Sequence, residues 1–170
     1  AIVKWLLGPE KVPSPVPVSV KRFGDAGFDA ALAEEIFETT PERRNYRTAI
    51  RDLLSSLAQE EKRELVDRLL ARFALYVHDL PASESSHHAY PFGLLDHSLK
   101  VSHAVLQELS TSMFQLSFDP VVQERERPFW VYGGFVASIL HDAGKLLDVE
   151  VATEDGKRIW NPQAEPLAYF

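Results

Sequence analysis

Hydrophobic residues recur at helical spacing through the middle of this 170-residue chain, and that periodicity restricts its fold more than any other feature. Four leucine and isoleucine positions are spaced i, i+3, i+4, i+7, and a second set follows at a similar spacing. The two sets are Ile50, Leu53, Leu54, Leu57 and Leu65, Leu69, Leu70, Phe73. They predict two amphipathic helices, each with one face turned to a core.

Further helices are predicted on both sides of these two. Leu32, Ile36 and Phe37 share one apolar side, and Thr40-Pro41 has the residue types of a helix start. Another amphipathic helix is predicted from about Phe92 to Leu109. The segment from Phe129 to Leu140 is apolar on all sides, which predicts a central buried helix.

A small β-hairpin is predicted near the C-terminus. Two alternating runs, 149–153 and 157–160, flank the dipeptide Asp155-Gly156, which favours a tight turn. The chain is therefore predicted to be mainly α, a helical bundle with one small β-hairpin.

Closely spaced prolines divide the chain into two parts. Pro9, Pro13, Pro15 and Pro17 forbid helix and favour extended geometry, so residues 1–27 are predicted to form a proline-rich arm. Residues 28–170 are predicted to form the helical domain, which we expect to be truncated at its C-terminal side.

Composition excludes several classes of protein. The chain has no cysteine, so any metal site must use nitrogen and oxygen ligands, which excludes zinc fingers and iron–sulfur proteins. A net charge of −7 argues against a simple DNA-binding module, because a polyanion would need a local basic patch or a cation. No signal peptide is recognised, and the longest apolar run is too short to cross a bilayer, so we expect a cytoplasmic protein without membrane insertion.

His141 and Asp142 are the strongest candidates for chemistry. A histidine and an aspartate at the end of a buried helix incur a large desolvation cost unless a partner compensates it, and a divalent cation is a natural partner. The alternative is that Asp142 caps the next segment and His141 is an interior histidine. Gly144 permits close backbone approach, and Lys145 could meet a phosphate oxygen.

The other histidines differ in whether their positions favour a role in metal binding or proton transfer. His97 shares an inward stripe with Val101 and Ala104. His87 and His88 precede that helix in a loop, where they are either exposed side chains or an additional ligand or acid. His103 is predicted to lie on the surface or behind the ligands, and His78 to interact with a helix C-terminus.

Charged residues of the first amphipathic helices have a simpler interpretation. They are predicted to form a solvated face with mixed-sign pairing rather than a binding patch. The residues are Arg43, Arg44, Arg47, Arg51, Glu60 and Glu61.

Two sequence blocks together resemble the HD superfamily of metal-dependent phosphohydrolases. The blocks are His87-His88-Ala89-Tyr90-Pro91-Phe92-Gly93-Leu94-Leu95-Asp96-His97-Ser98-Leu99-Lys100-Val101 and Leu140-His141-Asp142-Ala143-Gly144-Lys145. They are similar to HD-domain 3′–5′ exoribonucleases and to the HD-type (MobH-class) relaxases of conjugative plasmids and integrating conjugative elements. The tail Gly156-Lys157-Arg158-Ile159-Trp160-Asn161-Pro162 favours the relaxase branch.

The resemblance implies an HD-domain-like bundle in which His97, His141 and Asp142 are metal ligands. The family adds an aspartate on a later helix, which this chain ends too early to contain. Phe92 stands where relatives often have glycine, which would narrow the approach to His97. The metal could be manganese, magnesium, iron, nickel or zinc.

The resemblance also implies a chemistry. A divalent ion would polarise a phosphoryl oxygen and activate a water, His87 or His88 would protonate the leaving oxygen, and Lys145 would either stabilise the phosphate or anchor the helix end. The first hypothesis is the N-terminal HD domain of a relaxase, with single-stranded DNA and other conjugation proteins as partners. The alternatives are a nucleotide or oligonucleotide phosphohydrolase, and a non-catalytic helical binding module with a partial HD site.

Overall fold

Five helices account for most of the residues that the structure describes. A computed structural model describes residues 29–83, 88–112, 119–167 and 170. We label the helices α1 (Ala30–Glu38), α2 (Pro41–Leu53), α3, α4 (Gly93–Thr111) and α5 (Pro120–Leu140). Helix α3 has three consecutive parts, an α-helical turn Gln59–Glu61, a π-helical segment Lys62–Asp67 and an α-helical part Arg68–Val77. The predicted mainly α class is confirmed.

Local sequence signals explain where α2 and α5 begin. The Thr40 hydroxyl accepts a hydrogen bond from the Arg43 amide, and Pro41 occupies the first position of α2, where its missing N–H costs nothing. Asp119 caps α5 through the Val121 amide, again just before a proline. The predicted start at Thr40-Pro41 is confirmed.

Helices α4 and α5 form the centre of the fold and run antiparallel. The Ser102 and Ser138 hydroxyls, both buried, lie 3.1 Å apart between them. At the far end, the Arg127 guanidinium donates to the carbonyls of Leu109 and Ser110. Helices α2 and α3 pack against α4, and α1 packs against α2 and α3.

The core lies where these helices meet. It is built mainly of leucine, isoleucine and phenylalanine that are at most 3% exposed. Its larger members include Phe37, Ile50, Leu54, Leu70, Phe73, Leu94, Leu99, Phe135 and Ile139. The predicted amphipathic helices α2 and α3 are therefore confirmed, although Leu65 lies outside the core at 40% exposure.

The prediction that 129–140 is buried on all sides is wrong. Only Val131, Phe135, Ser138 and Ile139 of α5 are buried, while Phe129 is 75% exposed. An apolar sequence lowers the cost of burying a helix, but here only one face has another helix packed against it.

The predicted β-hairpin is reduced to one antiparallel bridge between Ala152 and Ile159, and the described residues form no strand there. Gly156, with φ of +67°, permits the turn as predicted. Backbone hydrogen bonds flank the bridge, from the Thr153 amide to the Arg158 carbonyl and from the Trp160 amide to the Val151 carbonyl. The Trp160 side chain is buried, and its indole N–H donates to the carbonyl of Glu165.

The predicted proline-rich arm, residues 1–27, lies outside the described residues. Within them, no helix has the length and hydrophobicity needed to cross a membrane.

Candidate metal centre

The antiparallel arrangement of α4 and α5 brings His97 and His141 together. His97 lies in the second turn of α4, and His141 follows the last residue of α5. Asp142 comes next, before a short 3-10 helix, Ala143–Leu147. Residues 44 positions apart in sequence thereby meet at one end of the central helix pair.

Three side-chain atoms converge at this point. The Nε2 atoms of His97 and His141 are 3.3 Å apart, and Asp142 Oδ2 lies 3.5 Å from the first and 3.3 Å from the second. Ligand atoms that each lie about 2.0–2.2 Å from one ion, at tetrahedral or octahedral angles, are about 2.9–3.6 Å apart. The spacing therefore fits one divalent cation, and the group can hold a metal ion.

The protonation of His141 also suits a metal ligand. Its Nδ1 lies 2.7 Å from the carbonyl oxygen of Ser138, which can only accept, so Nδ1 carries the proton. Nε2 is then a lone-pair nitrogen aimed at His97 and Asp142. Two such nitrogens 3.3 Å apart repel each other unless a proton or a cation lies between them.

Burial lowers the pKa of His97, Asp142 opposes this, and electrostatic interactions with His141, His88 and Lys145 add to the lowering. A lowered pKa keeps the imidazole neutral to a lower pH than usual. Neutral imidazole is the form that binds metal.

The three side chains are less buried than the sequence predicted. His97, His141 and Asp142 retain 30%, 34% and 19% of their side-chain exposure. The cost of desolvating Asp142 is therefore smaller than at the end of a fully buried helix. The same opening leaves the cluster accessible to a substrate from solvent.

Lys145 is bound to the cluster rather than free. Its ammonium lies 2.6 Å from Asp142 Oδ2, the oxygen that faces both histidines, and 3.1 Å from the carbonyl oxygen of Ala82. Lys145 thus links the 3-10 helix to the segment after α3. Its ammonium is bound to the same Asp142 oxygen that a metal ion would bind.

His88 lies beside the cluster, with its ring centre 5.6 Å from that of His97. Its Nδ1 is 2.8 Å from the Tyr90 hydroxyl. Burial raises the pKa of Tyr90, and the negative charge of Asp96 together with a hydrogen bond to it adds to this, so the hydroxyl keeps its proton. His87, the other predicted acid, lies outside the described residues.

Sequence reasoning missed an ion pair that supports the start of α4. Arg43 is 4% exposed and donates to both carboxylate oxygens of Asp96, at 2.6 and 3.1 Å. Its guanidinium also lies 4.4 Å from the centre of the Phe92 ring. The prediction that Arg43 is solvated is therefore wrong, because a partner from a distant helix draws it inward. The adjacency of Asp96 to His97 was the available signal.

Phe92 has a left-handed backbone conformation, with φ of 66°. Glycine adopts this conformation without strain, whereas a bulky side chain does not. This explains why glycine suits the position. The Phe92 ring packs against Arg43 and against His78, whose ring centre is 5.2 Å away, so it contributes contacts that glycine cannot.

The remaining histidines are not part of the three-ligand group. His78 is the C-cap residue of α3, where its amide donates to the Ala74 carbonyl, and its ring lies 3.2 Å from the Asp79 carboxylate. His103 packs edge-on against Tyr46 of α2, with ring centres 5.4 Å apart. This contact is consistent with the prediction that His103 lies on the surface or behind the ligands.

The sequence profile of the TraI_2 family, whose description reads "Putative helicase", matches residues 27–170. Neither the curated proteins nor the solved structures provided a significant match.

Proposed function

The chain belongs to the TraI_2 family, a helicase/relaxase-type family of conjugative transfer proteins, and on that premise we propose that it carries an HD-type, metal-dependent phosphodiesterase site acting on DNA. The observation that carries this proposal is the convergence of His97, His141 and Asp142, whose three ligand atoms lie within 3.5 Å of one another. A divalent cation bound there would polarise a phosphoryl oxygen and increase the acidity of a water.

The surrounding residues orient the proposed ligands. The Ser138 carbonyl fixes the His141 ring through Nδ1. The Arg43–Asp96 pair holds the first turn of α4 against α2, directly beside His97. Both are positioning roles, because neither group faces the point where the three ligand atoms converge.

His88 is the proposed proton donor to the leaving oxygen, with His87 as the second candidate. The His88 ring lies beside that of His97, with ring centres 5.6 Å apart, and an imidazole N–H there can donate a proton. Lys145 is the proposed phosphate contact. To serve in this role it must exchange its bond to Asp142 for one to a phosphate oxygen.

We propose single-stranded DNA as the substrate and other conjugation proteins as further partners, in line with the family. A nucleotide phosphohydrolase uses the same ligand set and is the alternative within the enzyme class. A substrate panel of single-stranded DNA, single-stranded RNA and nucleoside triphosphates, each with manganese, distinguishes these activities.

A non-catalytic binding module is the second candidate, and one contact favours it. The Lys145 ammonium already neutralises Asp142, so the cluster has a resident cation of its own. Among the described residues the metal-binding group has three members, one fewer than the HD-type set that we expect.

The decisive experiment combines metal analysis with cleavage of single-stranded DNA by the wild type, His97→Ala and His141→Ala. We expect both variants to lose bound manganese and cleavage together. His103→Ala is the matched control, since it removes a histidine from the same helix but outside the cluster. If His141→Ala retained both metal and cleavage, the catalytic proposal would fail. Metal binding without cleavage of any substrate would favour the binding module.

A further inference from the structure

Ser98 follows the proposed metal ligand His97 in α4 and carries a buried hydroxyl. The residue is 0% exposed, and its Oγ atom has no hydrogen-bond partner among the described residues. A hydroxyl can donate one hydrogen bond and accept two, and leaving it unsatisfied in the interior is unfavourable. Native proteins contain few such groups, and a functional role is one of the explanations for them.

Ser102, one turn further along α4, shows how a buried serine on this helix can be satisfied. It is also 0% exposed. Its hydroxyl lies 3.1 Å from that of Ser138 in α5. The two buried serines of α4 therefore differ in one respect. Ser102 has a partner on the neighbouring helix, whereas Ser98 has none among the described residues.

Ser98 lies on the side of α4 that faces α5. Positions 98, 102, 105 and 109 are spaced i, i+4, i+7, i+11, so they form one line along the helix. The last three contact α5, since Ser102 bonds to a serine there and the side chains of Val105 and Leu109 lie against Gly134. Ser98 extends this line by one turn, toward the end of α5.

The antiparallel register places Ser98 at the level of the metal ligands. One turn toward the start of α4 corresponds to one turn toward the end of α5, because the two helices run in opposite directions. Ser102 lies opposite Ser138, so the position opposite Ser98 is one turn beyond Ser138, which is Asp142. The contact between the two histidine ligands, which directly precede Ser98 and Asp142, agrees with this register.

Asp142 has an oxygen that can accept a hydrogen bond from Ser98. Its described contacts with His97, His141 and Lys145 all use Oδ2, which leaves Oδ1 for a second donor. A carboxylate that binds a metal is itself usually held by a hydrogen bond, and loss of such a partner typically lowers metal affinity by about 10- to 100-fold.

We propose that Ser98 is a positioning residue of the metal centre, whose hydroxyl donates to Asp142 Oδ1 when a divalent cation replaces the Lys145 ammonium on Oδ2. In the metal-free protein the ammonium lies 2.6 Å from Oδ2 and the Ser98 hydroxyl has no described partner. The assignment rests on the function proposed above, since it concerns the same cation. The hydroxyl is therefore unfavourable in the metal-free protein and favourable in the metal-bound one.

The proposal predicts opposite effects of one substitution on two measured quantities. Ser98→Ala removes the unsatisfied hydroxyl, so the Tm in the presence of a chelator should rise by about 2–4 °C. The same variant should bind manganese on the order of ten-fold more weakly in isothermal titration, because Asp142 loses its donor. Ser98→Thr retains a hydroxyl and should bind manganese as the wild type does.

Two variants on the same helix are controls. Ser102→Ala removes an equally buried hydroxyl from the same line of α4, but one that has a partner, so its Tm should fall rather than rise. His103→Ala removes a histidine outside the metal-binding group, so its manganese affinity should not change.

The outcomes separate the role of Ser98 from the proposed function. If the wild type bound no manganese, the metal centre would fail and the role of Ser98 with it. If the wild type bound manganese and Ser98→Ala bound it as tightly, the role of Ser98 alone would be overturned. A lower Tm for metal-free Ser98→Ala would show that the hydroxyl already has a partner there. An equal loss of affinity in Ser98→Ala and Ser98→Thr would show that Asp142 does not use the hydroxyl. Either result would also overturn the role.

Discussion

Gly93, the first residue of α4, has space for no side chain. A Cβ placed there would overlap the carbonyl oxygen of His88 and lie 2.8 Å from its carbonyl carbon and 3.2 Å from the Ala82 nitrogen. The neighbours are backbone atoms, which cannot rotate away. We therefore predict that Gly93→Ala destabilises the protein and displaces His88 from its position beside His97.

The size of the effect follows from the contacts. The nearest atom is the His88 carbonyl oxygen, which overlaps this Cβ, so the backbone at His88 must move by well over the roughly 0.7 Å that would bring its carbonyl carbon to the preferred separation of about 3.5 Å. Such overpacking costs about 1–3 kcal/mol. The hydrogen bond from the Ala82 amide to the His88 carbonyl, 3.1 Å long, is lost at about 1 kcal/mol. The better helix propensity of alanine returns about 0.5–1 kcal/mol. The net loss is about 1–3 kcal/mol.

Thermal unfolding followed by circular dichroism measures this loss, which corresponds to roughly 3–9 °C in Tm for a domain of this size. Gly133→Ala is the matched control, because Gly133 lies exposed within α5 and its Cβ would meet nothing within 4 Å. It should gain about 0.5–1 kcal/mol. The reasoning is refuted if Gly93→Ala is as stable as the wild type, or if both variants shift Tm in the same direction.

Three further predictions concern the charges around the cluster. Arg43→Gln leaves the Asp96 carboxylate without its buried counter-charge and should cost about 3 kcal/mol in urea unfolding; a loss below about 1 kcal/mol would show that the pair is not structural. Lys145→Gln removes a positive charge from Asp142 and should tighten manganese binding about five-fold by calorimetry, equivalent to ~1 kcal/mol of repulsion; unchanged affinity would contradict it. Burial lowers the pKa of His97 below 6.5. As the pH falls through 6.5, His97 is therefore protonated in the unfolded chain before it is protonated in the folded, metal-free protein, and the folded protein loses stability. His97→Gln should lose less stability than the wild type between about pH 7.5 and pH 5.5, and equal losses would count against the burial of His97 as the cause.

Local signals in the sequence predicted the helices and the candidate ligands. The start of α2 at Thr40-Pro41 depends on a cap and a proline, both readable within a few residues. The resemblance around His97 and His141-Asp142 supplied the ligand set. It could not supply the distances, because their convergence depends on how α4 and α5 pack.

Other features depend on contacts that a sequence does not display. Arg43 and its exposed neighbour Arg44 have the same surroundings in the sequence. Arg43 is buried because Asp96 of α4 pairs with it. Phe129 was wrongly predicted to be buried because hydrophobicity states that a residue can be covered, not that another element covers it. The Tyr90–His88 bond was not predicted because it lies in a loop with an unusual backbone, where φ of His88 is 59°.

The hydrogen-bonded serine pair between the central helices has a consequence for the ligands beyond packing. Ser102 and Ser138 lie five and three residues from His97 and His141, so the pair fixes how far one helix can slide along the other. A slip of one residue moves a helix by about 1.5 Å, which is several times the tolerance of about 0.2 Å on a metal–ligand distance. The affinity for a divalent ion would therefore depend on the register of α4 against α5. A substitution at the buried interface between α4 and α5 could abolish metal binding while leaving every ligand residue unchanged.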